Sequence, residues 1–174
     1  MAFTVHGSRF TVLMRVFISI GSNAGDREAN CLKAVELLGA NVRKARVVKR
    51  SSLYETEPWG LIDQEKFINS VVEMSTALEP DALLEFLKSI ESTMGRRITR
   101  RWGERIIDLD IIFYGGLVYN GTELVIPHPF VHERAFVLVP LEEIAPEFVH
   151  PVSGKTVAAL ARVVSFAAGV RRIN

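Results

Sequence analysis

Two hydrophobic periods alternate along this chain. RVFISIG (15–21) is a short, nearly continuous apolar run with β-branched residues, which predicts a buried strand. SNAGD then reads as a turn. Ala29, Leu32, Val35 and Leu38 recur on one helical face, predicting a helix over 26–38 that Gly39 can close. Residues 42–54, rich in Val and basic side chains, predict a second strand, and ETEPWGLIDQEK a loop. FINSVVEMSTA (67–77) predicts a third strand, with Phe67, Asn69 and Val71 on one face and Ile68, Ser70 and Val72 on the other. A second helix is expected from Pro80, with Leu83, Leu87, Ile90 and Met94 as its stripe and Gly95 as its stop. An arginine-rich loop, 96–101, leads to a fourth strand at 105–113. Beyond 117 the pattern predicts a short strand or turn, the segment VIPHPFVHERAF, a strand near 136–140 and a last helix at 155–164.

The order β-α-β-β-α-β is that of a ferredoxin-like α+β sandwich, two helices on one face of an antiparallel sheet, here with a C-terminal extension. One domain, 14–174, is expected. Residues 1–13 lack the apolar run and cleavage site of a signal peptide and are expected to be a flexible leader or a misassigned start. The chain has 174 residues, 48% hydrophobic and 24% charged, enough for one core without staples. A net charge of +1 gives no global field toward nucleic acid or acidic membranes. The single cysteine, Cys31, excludes an internal disulfide framework and fits a cytoplasmic protein. No apolar run is long enough to span a membrane as a helix.

The fourth strand carries the chemistry. In WGERIIDLDIIFY (102–114), Asp108 and Asp110 project from one face, while Ile107, Leu109, Ile111 and Phe113 project from the other. Two carboxylates roughly 7 Å apart along a strand repel unless a positive group lies between or above them. They suit either a solvated acidic face or a hard cation such as Mg²⁺, which takes one or two carboxylates plus substrate phosphates. Arg96, Arg97, Arg100, Arg101 and Arg105 stand just upstream. Acids for a cation beside arginines for phosphate is the layout of a polyphosphate site.

These residues resemble the 6-hydroxymethyl-7,8-dihydropterin pyrophosphokinase family. WGERIIDLDIIFYG is similar to its signature, and FISIGSN, YETEPWGLIDQEKFINSVV and IPHPFVHERAFVLVPLEEIAPEFVHP are similar to three further blocks. The match is collinear over roughly residues 15 to 165. The resemblance implies transfer of the terminal pyrophosphate of ATP to the pterin hydroxymethyl group, in folate biosynthesis, with release of AMP. It implies two Mg²⁺ ions held by Asp108 and Asp110. Arg105, Arg134, His128 and Glu91 fall where the family binds ATP, and Arg96 at the start of its mobile catalytic loop. That loop is one residue shorter here than in some members, so the loop arginine is left open among Arg97, Arg100 and Arg101. Arg101 and Trp102 are expected to help close it. Thr56, Trp59, Phe67, Asn69 and Phe136 match pterin-binding positions, with the two Phe rings as a sandwich and Asn69 at the polar rim. A monomer acting on small molecules is expected, without nucleic acid or membrane.

Two other readings compete. RNA-recognition modules share this element order but need an aromatic-rich strand, where this chain has D-L-D. A catalytically dead relative would not be expected to keep Asp108, Asp110 and Arg105. His132 is read as a surface residue and His150 as structural.

Overall fold

The computed structural model describes residues 3–5, 8–10, 12–40, 45–58, 64–96, 104–165 and 169–173. The chain runs β1 (Phe3–Val5), β2 (Ser8–Phe10), β3 (Met14–Ser22), α1 (Arg27–Gly39), β4 (Ala45–Arg50), β5 (Leu53–Thr56) and β6 (Phe67–Thr76). It continues through α2 (Pro80–Thr93), β7 (Asp108–Tyr114), β8 (Tyr119–Asn120), β9 (Val125–Ile126), α3 (Ala135–Ile144), α4 (Val157–Ser165) and β10 (Arg171–Ile173). Within the expected leader, β1 and β2 pair as a small antiparallel hairpin.

The main sheet is antiparallel, with the order β10-β5-β6-β3-β7 and β4 also pairing with β6. This is the predicted ferredoxin-like arrangement. One face packs on α1 and α2, burying Ile18 and Ile20 of β3 with Cys31, Ala34 and Leu38 of α1 and Leu83, Leu87 and Ile90 of α2. Asp26 caps α1 by accepting the Ala29 N–H at 3.0 Å. The C-terminal extension covers part of the opposite face. There Phe17, Val71, Ile112 and Phe113 pack on Val137, Leu138 and Leu141 of α3 and Val157, Leu160 and Ala161 of α4.

Four expectations need correction. The predicted strand over 42–54 is two strands, broken at Ser51 and Ser52. Ser51 is fully enclosed, and its Oγ accepts the Val71 N–H at 2.9 Å while its own N–H donates to the Val71 carbonyl at 2.9 Å. The side chain thus stands in for a backbone acceptor and lets the edge turn. The predicted strand near 136–140 is the first half of α3. Val137, Leu138, Leu141 and Ile144 share a helical face, and that burial outweighs the β-branched composition and an internal Pro140. The fourth strand begins at Asp108, not 105. Finally, Phe113 does not share a face with Ile111. A β-bulge leaves Ile112 without a partner between the pairs Phe17–Phe113 and Ile18–Ile111, so Phe113 turns toward α3 and α4.

Replacing Ser51 by Ala leaves the Val71 N–H buried without this acceptor. Urea unfolding is expected to show a loss of about 1–3 kcal/mol with an unchanged m value. Unchanged stability would mean that Ser51 does not hold the break.

Candidate active site

The sheet face that packs on α3 and α4 at one end is not covered by them at the other, and the site lies there. Cross-strand pairing builds it in rows. Asp110 lies opposite Ser19, which lies opposite Val71; Asp108 lies opposite Gly21, which lies opposite Asn69. Partners opposite one another point to the same side, so both aspartates and Asn69 rise around the bare floor at Gly21. The result is an open cleft. Thr56, Phe67, Asn69, Arg105, Asp108, Asp110, Arg134 and Phe136 all line it. Trp59, Arg97, Arg100, Arg101 and Trp102 lie outside the described residues.

The residues at one end of the cleft come from β5, β6 and α3. Thr56 lies opposite Phe67, and Asn69 donates to Thr56 Oγ at 2.7 Å. Both polar side chains are buried, so this bond fixes the amide's orientation. Phe136 leaves the first turn of α3 with Arg134 stacked 5.5 Å from its ring centre.

Three arginines meet the two aspartates. Asp108 pairs with Arg105 and, at 2.8 Å, with Arg96. Asp110 lies 3.3 Å from Arg134. Desolvation by the cleft walls, followed by the neighbouring Asp108 charge, pushes the Asp110 carboxyl above its ordinary range, although its side chain remains 40% exposed. Glu91 reaches this cluster from α2. Its carboxylate accepts the Leu109 N–H at 2.8 Å and pairs with Arg96, and burial raises its pKa. Because β7 is an edge strand, Glu91 also closes an otherwise open backbone donor between the two aspartates.

The His128 Nδ1 accepts the Phe130 N–H at 3.2 Å, and Arg134 Nη1 stands 3.1 Å from Nε2. Burial, then Arg134, lowers the His128 pKa from 6.5 to about 4. His150 is buried and accepts the Val152 N–H, in keeping with a structural reading.

Sequence reasoning gave no role to Ser19, Gly21, Glu57 or Gln64, which also line the cleft. Gly21 had a signal, a glycine at the end of an apolar strand. A Cβ there would lie 2.9 Å from Asn69 Oδ1.

Among the described residues no group of three His, Cys, Asp or Glu side chains could hold a metal. Two carboxylates beside a cationic wall fit Mg²⁺, which takes its remaining ligands from water and phosphate.

Paired acids that meet three guanidiniums, beside a cleft edged by two phenylalanines and a fixed amide, fit a nucleotide-dependent transferase. The 7,8-dihydro-6-hydroxymethylpterin-pyrophosphokinase (HPPK) family model matches residues 17–146, and the chain belongs to this family. It is 47% identical over 163 residues to the 2-amino-4-hydroxy-6-hydroxymethyldihydropteridine pyrophosphokinase of Methylorubrum extorquens, covering 93% of this chain and 100% of that protein. The enzyme of the same name from Bacillus subtilis is 45% identical over 128 residues, 74% of this chain and 76% of that one. Among solved structures, wild-type Plasmodium falciparum HPPK-DHPS superposes with a TM-score of 0.69 at 17% identity, over 87% of this chain and 44% of that chain. That likeness concerns the fold.

Two expected outcomes test this geometry. Gly21→Ala displaces Asn69 and weakens pterin binding by roughly tenfold in calorimetry; unchanged affinity would show that the floor tolerates a side chain. His128 remains neutral at pH 7, with an imidazole ¹⁵N titration midpoint of about 4. The unfolded chain takes up that proton near pH 6.5 and the folded chain only near 4. The residue's contribution to stability is therefore complete above pH 6.5 and is lost as pH falls through 4. A midpoint near 6.5 would contradict the burial of this ring beside Arg134.

Proposed function

We propose that this chain transfers the β,γ-diphosphoryl group of ATP to the hydroxymethyl oxygen of 6-hydroxymethyl-7,8-dihydropterin in folate biosynthesis. The observation that carries this reading is a sheet face whose two aspartates meet three arginines beside a pocket edged by a fixed amide. The new bond joins the hydroxymethyl oxygen to the β-phosphorus. The bond from that phosphorus to the oxygen bridging the α-phosphate breaks, AMP leaves with the bridging oxygen, and the hydroxyl proton is released to solvent.

Phe67 and Phe136 hold the pterin ring by its faces, and Asn69, oriented by Thr56, reads its polar edge. Bound between them, the ring directs its hydroxymethyl group along the cleft floor toward Asp108 and Asp110. Two Mg²⁺ ions on these carboxylates would neutralise phosphate charge and favour in-line attack. Arg96, Arg105 and Arg134 counter the aspartates in the free protein and are positioned to grip phosphate oxygens instead. A guanidinium fork holds two such oxygens with fixed geometry. The neutral His128 ring stands beside Arg134 on the same wall. Glu91 acts through Arg96 and the Leu109 N–H, setting both the cation and the strand between the aspartates.

Incubation with ATP, Mg²⁺ and the pterin should yield one AMP for each pterin diphosphate. Asp108→Ala and Asp110→Ala should lower kcat on the order of 10²-fold or more. Formation of ADP, or near-normal turnover by either variant, would overturn the proposed transfer or the role of the carboxylates.

A further inference from the structure

Asn23 follows β3 and is 1% exposed, with both ends of its amide engaged. Its backbone N–H donates to the Arg105 carbonyl at 3.1 Å. Its Oδ1 accepts the Arg105 N–H at 2.7 Å. Its Nδ2 donates to Gln64 Oε1 at 2.9 Å. Arg105 precedes β7, where ladder pairing with β3 has stopped at Gly21–Asp108. One asparagine thus holds the Arg105 peptide from two directions where the sheet no longer does. Its third bond reaches the segment leading into Phe67, on the other side of the cleft.

We infer that Asn23 is a positioning residue. It sets the Arg105 guanidinium against Asp108 and ties that placement to Gln64 on the pterin side. This rests on the proposed nucleotide role of Arg105. The physical basis is that an arginine side chain has many rotamers, so a defined guanidinium position requires a defined backbone beneath it. The peptide of Arg105 lies outside helix and strand, so its restraint comes from Asn23. A carboxamide is the neutral group that can accept from one backbone N–H while donating to a second side chain.

The position of the adjoining turn supports the same role. Asn30 of α1 donates to the Ala24 carbonyl at 2.9 Å and to Ser22 Oγ at 3.3 Å, fixing the backbone on either side of Asn23. Arg27 holds the Lys66 carbonyl, fixing the segment that bears Gln64. Asn23 therefore joins two braced segments.

The test is a double-mutant cycle read by calorimetric binding of α,β-methylene-ATP with Mg²⁺. Asn23→Ala should weaken binding about tenfold in the wild-type background. In an Arg105→Ala background the same change should cost at least about threefold less, because the arginine being positioned is gone. Equal losses in both backgrounds would mean a general structural role and would overturn the inference. Should Asn23→Ala fail to fold, Gln64→Ala replaces it in the cycle, since it removes the third of these bonds and leaves both bonds between Asn23 and the Arg105 backbone in place. Its effect must likewise shrink at least about twofold when Arg105 is absent, and additivity would overturn the link. The readout is independent of turnover. Absence of AMP with an intact cycle would sink the proposed reaction alone, and additivity with normal AMP formation would sink only the role of Asn23.

Discussion

Asp108 and Asp110 rise from one strand face, and two like charges so placed require countercharge wherever water is thinned out. The arrangement of the site follows from that requirement. Arg96 arrives from the end of α2, Arg105 from the segment before β7, and Arg134 from the turn before α3. Each element brings one guanidinium to one carboxylate. The cationic wall that balances the acids in the free protein is also the wall that a polyphosphate would meet. Glu91 and Asn23 hold the two segments from which Arg96 and Arg105 reach in.

The sheet divides its second face between stability and chemistry. Toward one end, Phe17, Val71 and Phe113 are sealed by α3 and α4. Toward the other, the same strands present Ser19, Gly21 and Asn69 to the cleft. The bulge at Ile112 marks this boundary in β7. It ends the regular alternation that exposes Asp108 and Asp110 and turns Phe113 into the core. Placing the acids on a strand whose opposite face is packed against helices restricts their movement. A loop with similar residues would have to order itself on binding.

Charge placement here opposes stability in a local way. The raised pKa of Asp110 means that ionised Asp110 is held in surroundings less favourable than water, and the same holds for Glu91. Such placements are tolerated because the buried faces on both sides of the sheet hold the strands in place.

Local spacing determined much of this protein. The two-residue period around Asp108 and Asp110 specified a shared face, the helical stripes of α1 and α2 specified one layer, and the β-α-β-β-α-β order specified the sheet. Those features depend on neighbours within a few residues, which the sequence displays directly. The tertiary structure decided the rest. The 136–140 segment became a helix because Val137, Leu138 and Leu141 met a sheet face that only the assembled chain provides. Phe113 changed sides because a bulge depends on the partner strand. Gly21 matters because Asn69, on another strand, occupies the space a side chain would need. Asn23 matters because Arg105 and Gln64 lie far from it in sequence yet both reach its amide, and such contacts leave no periodic trace along a single chain.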